Sequence, residues 1–242
     1  MQSKQTTSAT KTRLVDAALE LVWPTRCAGC ERPGELLCDT CRDSLSLTEQ
    51  DAACPHCGAP YGFLICTECY DRTGKQEFSF ALAISALTLD EISGRLIVLY
   101  KDNNEHRLAS ILAELIISAL PLSWLTWADT LTWIPADRKA LRRRGFDHMQ
   151  RIALEVANLT QLSATSLLNK QVCRDQRGLN RAQRKENLKK SFSLKAQAGS
   201  LPAHILLLDD VFTTGSTLDA AAALLSESGA AEVRAVSIAR AW

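Results

Sequence analysis

Late in the chain an apolar run, Ile205-Leu-Leu-Leu208, leads into two acids, Asp209 and Asp210, and then through Val211 and Phe212 into Thr213-Thr-Gly-Ser-Thr217. A strand that ends in a Thr/Gly/Ser turn ahead of a helix places unpaired backbone N–H groups and hydroxyls at a helix N-terminus. Hydrogen bonding and the helix dipole both favour phosphate there. Gly215 permits a close approach of backbone to ligand. The acidic pair cannot itself hold phosphate, but carboxylates accept hydrogen bonds from sugar hydroxyls and stand well beside a magnesium shell. A phosphate with a diol next to it, a ribose 5-phosphate group, fits the whole segment. The plainer reading is an N-cap after a core strand, but two acids ahead of Thr-Thr-Gly-Ser-Thr set this turn apart from an ordinary cap.

A second chemistry sits near the start. Cys27/Cys30, Cys38/Cys41, Cys54/Cys57 and Cys66/Cys69 are four C-x-x-C pairs. Two residues between thiolates let both sulfurs face one ion from a tight turn, and two such knuckles close a tetrahedral four-thiolate shell, the structural zinc pattern. Eight cysteines therefore imply two zinc ions. Sequential pairing is the simplest, and a crossed pairing has the same spacing. Gly29 and Gly58 suit the turns. His56, between Cys54 and Cys57, reads as a spectator, and Cys173, alone, as a small packed residue.

The elements that must position these groups follow from composition. Residues 1–24 read as a polar tail and a short helix stopped at Pro24. Residues 25–75 hold eight of the nine cysteines, many turn formers and few apolar runs, so zinc there replaces a hydrophobic core. From 76 to 242 strands alternate with helices. Phe78–Leu89, Leu131–Ile134, Ile205–Leu208 and Val233–Ala239 read as strands, and Glu105–Leu120, His148–Leu159 and Thr217–Ser228 as helices. That alternation implies crossover connections, an α/β fold and a mostly parallel sheet. Trp124, Trp127 and Trp133 flank apolar patterns and read as core or subunit contacts.

At 242 residues the chain can bury a real core, and 46% hydrophobic with 23% charged residues excludes a disordered tail or a coiled coil. The best apolar stretch, Ile111–Trp127, is broken by Glu114 and Pro121 and is too short to span a membrane. The first thirteen residues lack a signal-peptide core, so a cytoplasmic location is expected. A net charge of +1 conceals fifteen Lys or Arg against five Asp or Glu between Asp137 and Lys195. Arg138, Lys139, Arg142, Arg143 and Arg144 follow a strand and suit a pyrophosphate. The cluster of Arg174, Arg177, Arg181, Arg184, Lys185, Lys189 and Lys190 exceeds what a small ligand needs. It reads equally well as a surface for single-stranded nucleic acid, with Arg181, Arg184, Lys185 and Lys189 its main contacts, or as a solvated helix face.

Ile205–Thr217 resembles the phosphoribosyl pyrophosphate (PRPP) loop of type I phosphoribosyltransferases. With the cysteine block ahead of it, the match narrows to the ComF/GntX family, whose members join an N-terminal double zinc ribbon to such a domain. The resemblance runs over nearly the whole chain. It includes Leu21-Val-Trp-Pro-Thr-Arg-Cys-Ala-Gly-Cys30, Leu99-Tyr-Lys101, Ile134-Pro135, Arg144-Gly-Phe146 and Gln176-Arg-Gly-Leu-Asn-Arg-Ala-Gln-Arg-Lys-Glu-Asn187, ending with Phe192.

The resemblance implies a phosphoribosyltransferase-like sheet flanked by helices after a small double-zinc-ribbon domain. It implies that Asp209 and Asp210 hold the ribose hydroxyls and that Thr213, Thr214, Gly215, Ser216 and Thr217 cradle the 5-phosphate. Pro135 to Arg144, with Arg138, Arg142 and Arg144, matches the loop that meets pyrophosphate and magnesium. Asp147-His148 stands where the family reads Asn-Gln, which alters the charge at that point. The implied activity is transfer of a phosphoribosyl group to an unknown acceptor, linked by the family to DNA uptake. Two alternatives are a non-catalytic PRPP or nucleotide sensor and a single-stranded nucleic-acid-binding factor. The partners in view are PRPP or ribose 5-phosphate, single-stranded DNA and a second copy of the chain. No general base stands out, and His106, His148 and His204 read as structural or surface residues.

Overall fold

The computed structural model describes residues 24–60, 65–67, 69, 78–171, 191–195 and 200–242. The expected N-terminal tail and helix, Cys173, the Gln176–Asn187 stretch and the basic residues Arg181, Arg184, Lys185 and Lys189 lie outside the described residues. The chain divides into two compact units, Met1–Leu45 and Ser46–Trp242.

In the first unit the turn after Cys27 and the short helix α1 (Asp39–Asp43) carry four cysteines. Its buried apolar side chains, among the described residues, are those of Cys27, Ala28, Leu37, Cys41 and Leu45. Among the described residues of this unit the apolar cluster is small, and a bound metal would add to its stability.

The second unit runs β1 (Ala83–Thr88), α2 (Glu91–Asp102), α3 (Leu108–Ala119), α4 (Leu122–Trp127), β2 (Thr130–Trp133), α5 (Arg138–Arg144), α6 (His148–Thr160), β3 (Leu168–Lys170), β4 (Phe192–Leu194), β5 (His204–Phe212), α7 (Ser216–Glu227) and β6 (Glu232–Arg240). The sheet order is β1-β6-β5-β2, and all three pairings are parallel. β3 and β4 form a separate antiparallel pair. The central strands are buried on both faces, with Ile205 to Leu208, Ala235 and Val236 fully inaccessible. That is why their sequences read as continuous apolar runs and not as alternation. Both sheet edges are covered. Thr48 N and Thr88 N bond across to Ala86 O and Ser46 O beside β1, and Leu131 N and Thr165 N bond to Ser163 O and Leu131 O beside β2. Among the described residues no helix is long and apolar enough to cross a membrane.

Two differences from the sequence pattern matter for the site. The first strand starts at Ala83, not Phe78. Phe78 and Phe80 stack at 4.5 Å and both meet Phe212 in T-shaped contacts, 6.2 and 6.1 Å away, so they pack beside the end of β5 instead of joining the sheet. β5 runs on past the acids to Phe212, because β6 stays beside it as far as Arg240. Asp209 therefore sits within the sheet, opposite Ser237.

The second cysteine group belongs to this unit. Cys54, Cys57 and Cys69 share a core with Phe80, Leu168, Val233 and Ala235. Gly58 adopts φ +65°, and a Cβ there would lie 2.9 Å from the carbonyl oxygen of Ala83, so only glycine lets the knuckle approach β1 this closely.

Candidate functional site

In each cysteine group the four Sγ atoms lie within 4.8 Å of one another, and the groups are Cys27, Cys30, Cys38, Cys41 and Cys54, Cys57, Cys66, Cys69. The pairing is thus sequential. Cys27–Cys38, Cys30–Cys38 and Cys57–Cys66 are separated by 3.5, 3.7 and 3.6 Å. Sulfurs at about 2.3 Å from a tetrahedral zinc stand about 3.8 Å apart, so the donor sets fit that ion. Backbone N–H groups of Gly29 and Cys38 donate to Cys27 Sγ at 3.4 and 3.3 Å, and Cys66 N donates to Cys54 Sγ at 3.3 Å. Burial opposes a thiolate at Cys27, but the backbone N–H groups of Cys38, Cys30 and Gly29 outweigh it and bring its pKa down to about 6. Burial pushes Cys57 up to about 12, with the neighbouring Cys54 adding to it. A bound cation is what would let four such sulfurs ionise together. His56 lies outside both four-sulfur groups.

The second constellation forms where β5 ends. Asp209 is buried and accepts from Asp210 N at 2.9 Å, while Asp210 Oδ1 accepts from Val211 N at 2.7 Å. Asp210 Oδ2 meets Lys101 Nζ and, at 2.9 Å, His148 Nε2. Lys101 comes from the C-terminal turn of α2 and His148 from the first turn of α6. The two helices are tied together by Tyr100, whose buried hydroxyl donates to His148 O at 2.7 Å. This separates the two acids electrically. Burial, then the charge of Asp210, raises Asp209 from 3.8 to about 7. Burial also acts against Asp210, but the His148 hydrogen bond and the Lys101 charge outweigh it and hold that carboxyl well below the usual range. Near neutral pH the site holds one firm negative charge and one group poised to exchange a proton.

Directly after the acids, Thr213, Thr214 and Ser216 are exposed, Thr217 is half-buried and Gly215 is buried. Gly215, at φ +72°, is the N-cap of α7, and a Cβ on it would fall 2.5 Å from the Phe212 ring. Thr214 Oγ1 and Ser216 Oγ are hydrogen-bonded at 2.8 Å. The turn thus presents hydroxyls beside the first, unpaired N–H groups of a twelve-residue helix.

The third predicted segment meets this one through the sheet, since β2 pairs with β5 and Ile134 N donates to Leu208 O at 2.8 Å. Pro135 is half-buried just beyond. The segment expected as a loop from Pro135 to Arg144 is mostly helix. Asp137 caps α5 by accepting from Ala140 N at 2.8 Å, and that cap overrides any loop preference of the arginines. Arg138 and Arg142 are exposed on α5, and Arg144 has only 9% of its side chain accessible. Its Nε lies 3.1 Å from Asp102 Oδ1 and its Nη1 3.5 Å from His148 Nδ1. Asp102, Asn104, Arg143 and Arg144 line a cleft of about 280 Å³.

Asp147, the departure from the family's Asn, works as a cap. Its Oδ1 accepts from Met149 N and Gln150 N at 3.1 and 3.2 Å, and its Oδ2 accepts from Ala136 N at 3.2 Å. An amide can supply the first pair of bonds but not the last, because its nitrogen only donates. Asp147→Ala should cost about 1–2 kcal/mol in urea unfolding and Asp147→Asn less than half as much; equal losses would remove this account.

Lys101 and His148, which meet Asp210, and Arg240, at the end of β6, are residues that sequence reasoning missed or set aside. Each had a faint sign: a lysine straight after a buried tyrosine at a helix end, an imidazole in a helix's first turn, and an arginine closing an apolar strand. The tryptophans are as expected for Trp124 and Trp133, which are buried. Trp127 is half-buried, with the Arg234 guanidinium 3.9 Å over its ring.

Comparison with known proteins adds the following. Residues 18–71 match the double zinc ribbon domain. The chain is 26% identical over 226 residues to the DNA utilization protein YhgH of Escherichia coli K12, covering 88% of this chain and 96% of that one. It is 27% identical over 214 residues to competence protein F of Haemophilus influenzae, covering 85% and 90%. A shorter match, 32% over 108 residues, reaches competence protein ComFC of Streptococcus pneumoniae and covers 44% and 46%. Among solved structures, orotate phosphoribosyltransferase from Aeropyrum pernix is loosely similar, at 15% identity and TM-score 0.32 over 63% of this chain and 66% of that one. The chain is thus similar over nearly its whole length to the Escherichia and Haemophilus proteins, and it carries a double zinc ribbon ahead, in sequence, of a parallel α/β sheet.

Proposed function

We propose that the protein binds PRPP, or the ribose 5-phosphate group within it, at the β5–α7 turn and transfers the phosphoribosyl group to a nitrogen acceptor in DNA uptake or utilisation. One observation carries this reading. An acidic pair, Asp209 buried and Asp210 half-buried, at the carboxyl end of a central parallel strand stands directly before a Thr-Thr-Gly-Ser-Thr turn that opens a long helix. Ligands of open parallel sheets bind at that end. The link to DNA rests on the similarity to a DNA utilization protein and a competence protein.

In this reading the 5-phosphate takes the hydroxyls of Thr213, Thr214, Ser216 and Thr217 and the N-terminus of α7. Asp209 and Asp210 accept from the ribose diol. Arg138, Arg142 and Arg144, with the turn at Pro135, face the pyrophosphate. Magnesium would be held mainly through the ligand's own oxygens, since Asp210 already accepts from Val211 N, Lys101 and His148 and has little capacity left beyond the diol. Bound there, it would neutralise charge on the departing pyrophosphate. The bond from the anomeric carbon to the pyrophosphate oxygen breaks as a bond to the acceptor nitrogen forms. Positive charge grows on the sugar, where Asp210, kept ionised by His148 and Lys101, stabilises it.

The test is thermal melting with magnesium and PRPP. A ligand present at a hundredfold its Kd and binding only the folded state adds about 2.7 kcal/mol, so Tm should rise by several degrees. An unchanged Tm at millimolar PRPP would overturn the proposal. Pyrophosphate release with a panel of bases separates an enzyme from a sensor, because a sensor shifts Tm without release.

A further inference from the structure

Arg240 closes β6, a strand otherwise rich in buried apolar residues, and is itself 1% exposed. A guanidinium cannot shed its charge, so its burial has to be compensated by acceptors. Nη1 donates to Phe212 O at 3.1 Å, to Thr213 O and to Ala241 O at 3.1 Å, its two protons shared among the three. The guanidinium carbon lies 4.2 Å from the centroid of the Phe212 ring. Two of those carbonyls belong to the last residues before the Thr-Gly-Ser turn.

Among the described residues there is no cis peptide, and in a trans peptide the C=O and the following N–H point opposite ways. Drawing the oxygens of Phe212 and Thr213 toward Arg240 therefore turns the N–H groups of Thr213 and Thr214 away from it. The Phe212 ring that the guanidinium covers also lies under Gly215, with its Cζ and Cε1 2.5 and 2.9 Å from where a Cβ would stand. Arg240 thus acts on the turn twice, through two peptide planes and through a ring.

We propose that Arg240 is a positioning residue that holds the turn in the shape that accepts a phosphate ester, a role that rests on the PRPP-site reading above. It touches no ligand. It holds the Thr213 peptide, shares the hold on Phe212 O with the backbone N–H of Ala241 at 2.9 Å, and places a permanent cation behind an anion site, where low dielectric strengthens the attraction.

Isothermal titration of ribose 5-phosphate into the full-length, zinc-loaded protein tests this with wild type, R240M and R240K. Methionine keeps the bulk against Phe212 but loses charge and donors, while lysine keeps a cation that donates. R240M should bind about tenfold more weakly or worse, at unchanged zinc content, and R240K should recover part of the loss. No binding by wild type overturns the reading of the turn itself. Binding by wild type with equal affinity in R240M overturns the role of Arg240 alone. R240K binding no better than R240M, or both variants failing to fold, makes Arg240 a core residue and overturns its role as well.

Discussion

Removing zinc with a strong chelator should unfold the sheet-bearing unit as well as the ribbon nearer the N-terminus. The reason lies in where the second cysteine group sits. Cys54, Cys57 and Cys69 pack against Phe80, Val233 and Ala235, side chains that also line the sheet. Structural zinc contributes on the order of 10–16 kcal/mol in small peptides at neutral pH, as much as a whole domain's net stability of about 5–15 kcal/mol. Left without an ion, four sulfurs, those of Cys54, Cys57 and Cys69 buried and that of Cys66 half-buried, would repel one another when ionised and be poorly hydrogen-bonded when not. Native mass spectrometry should find two zinc ions per chain. Cys57→Ser, at a position 1% exposed, should abolish the cooperative melt, whereas Cys30→Ser, at an exposed ligand of the other group, should leave the sheet's melting transition in place. A metal-free protein that melts like the holoprotein would refute the coupling.

The second large effect comes from the acidic pair, and its two readouts move in opposite directions. Asp209 titrates near 7 in the folded chain against an ordinary 3.8. Its folded-state pKa is raised, so its favourable contribution is complete below about pH 4 and is lost as pH rises through about 7. Asparagine does not ionise. Asp209→Asn should therefore melt a few degrees above wild type at pH 8, with the gap closing toward pH 4. Asp210 has the reverse sign: its pKa is held down, so its contribution is present above pH 4 and fades under acid. In the Asp209→Asn, Asp210→Asn double variant the PRPP-dependent rise in Tm should disappear. A double variant that responds to PRPP as wild type does would show that these carboxylates do not hold the ribose. The pairing of a gain in stability with a loss of binding is what a destabilised functional site predicts.

The cysteine groups and the β5–α7 turn were legible because each is local. C-x-x-C spacing dictates a knuckle, and a strand, two acids and a Thr/Gly/Ser turn occupy thirteen consecutive residues. The partners of Asp210 were not legible, since Lys101 and His148 reach it from helices separated from it by most of a domain. Arg240 was hidden for the same reason, being a neighbour of Phe212 only through the β5–β6 ladder. α5 was masked by composition: five basic residues read as a ligand loop, while the single cap at Asp137 decided for helix. Asp147 read as a change of charge, and its actual work, accepting three backbone N–H groups, depends on a tertiary contact with Ala136. The extra length of β5 followed from the register of β6, which no local pattern records.

The sequential grouping of the cysteines bears on how the chain is made. On the ribosome the first set is complete as soon as Cys41 emerges and can capture its ion at once. The second closes its own loop at Cys69, yet the apolar cover for its sulfurs is complete only once β6 has been made. Throughout that interval the nascent chain holds four thiols that only an early-bound metal shields from oxidants, so translation in zinc-starved cells should yield mispaired, oxidised protein from this set before the other.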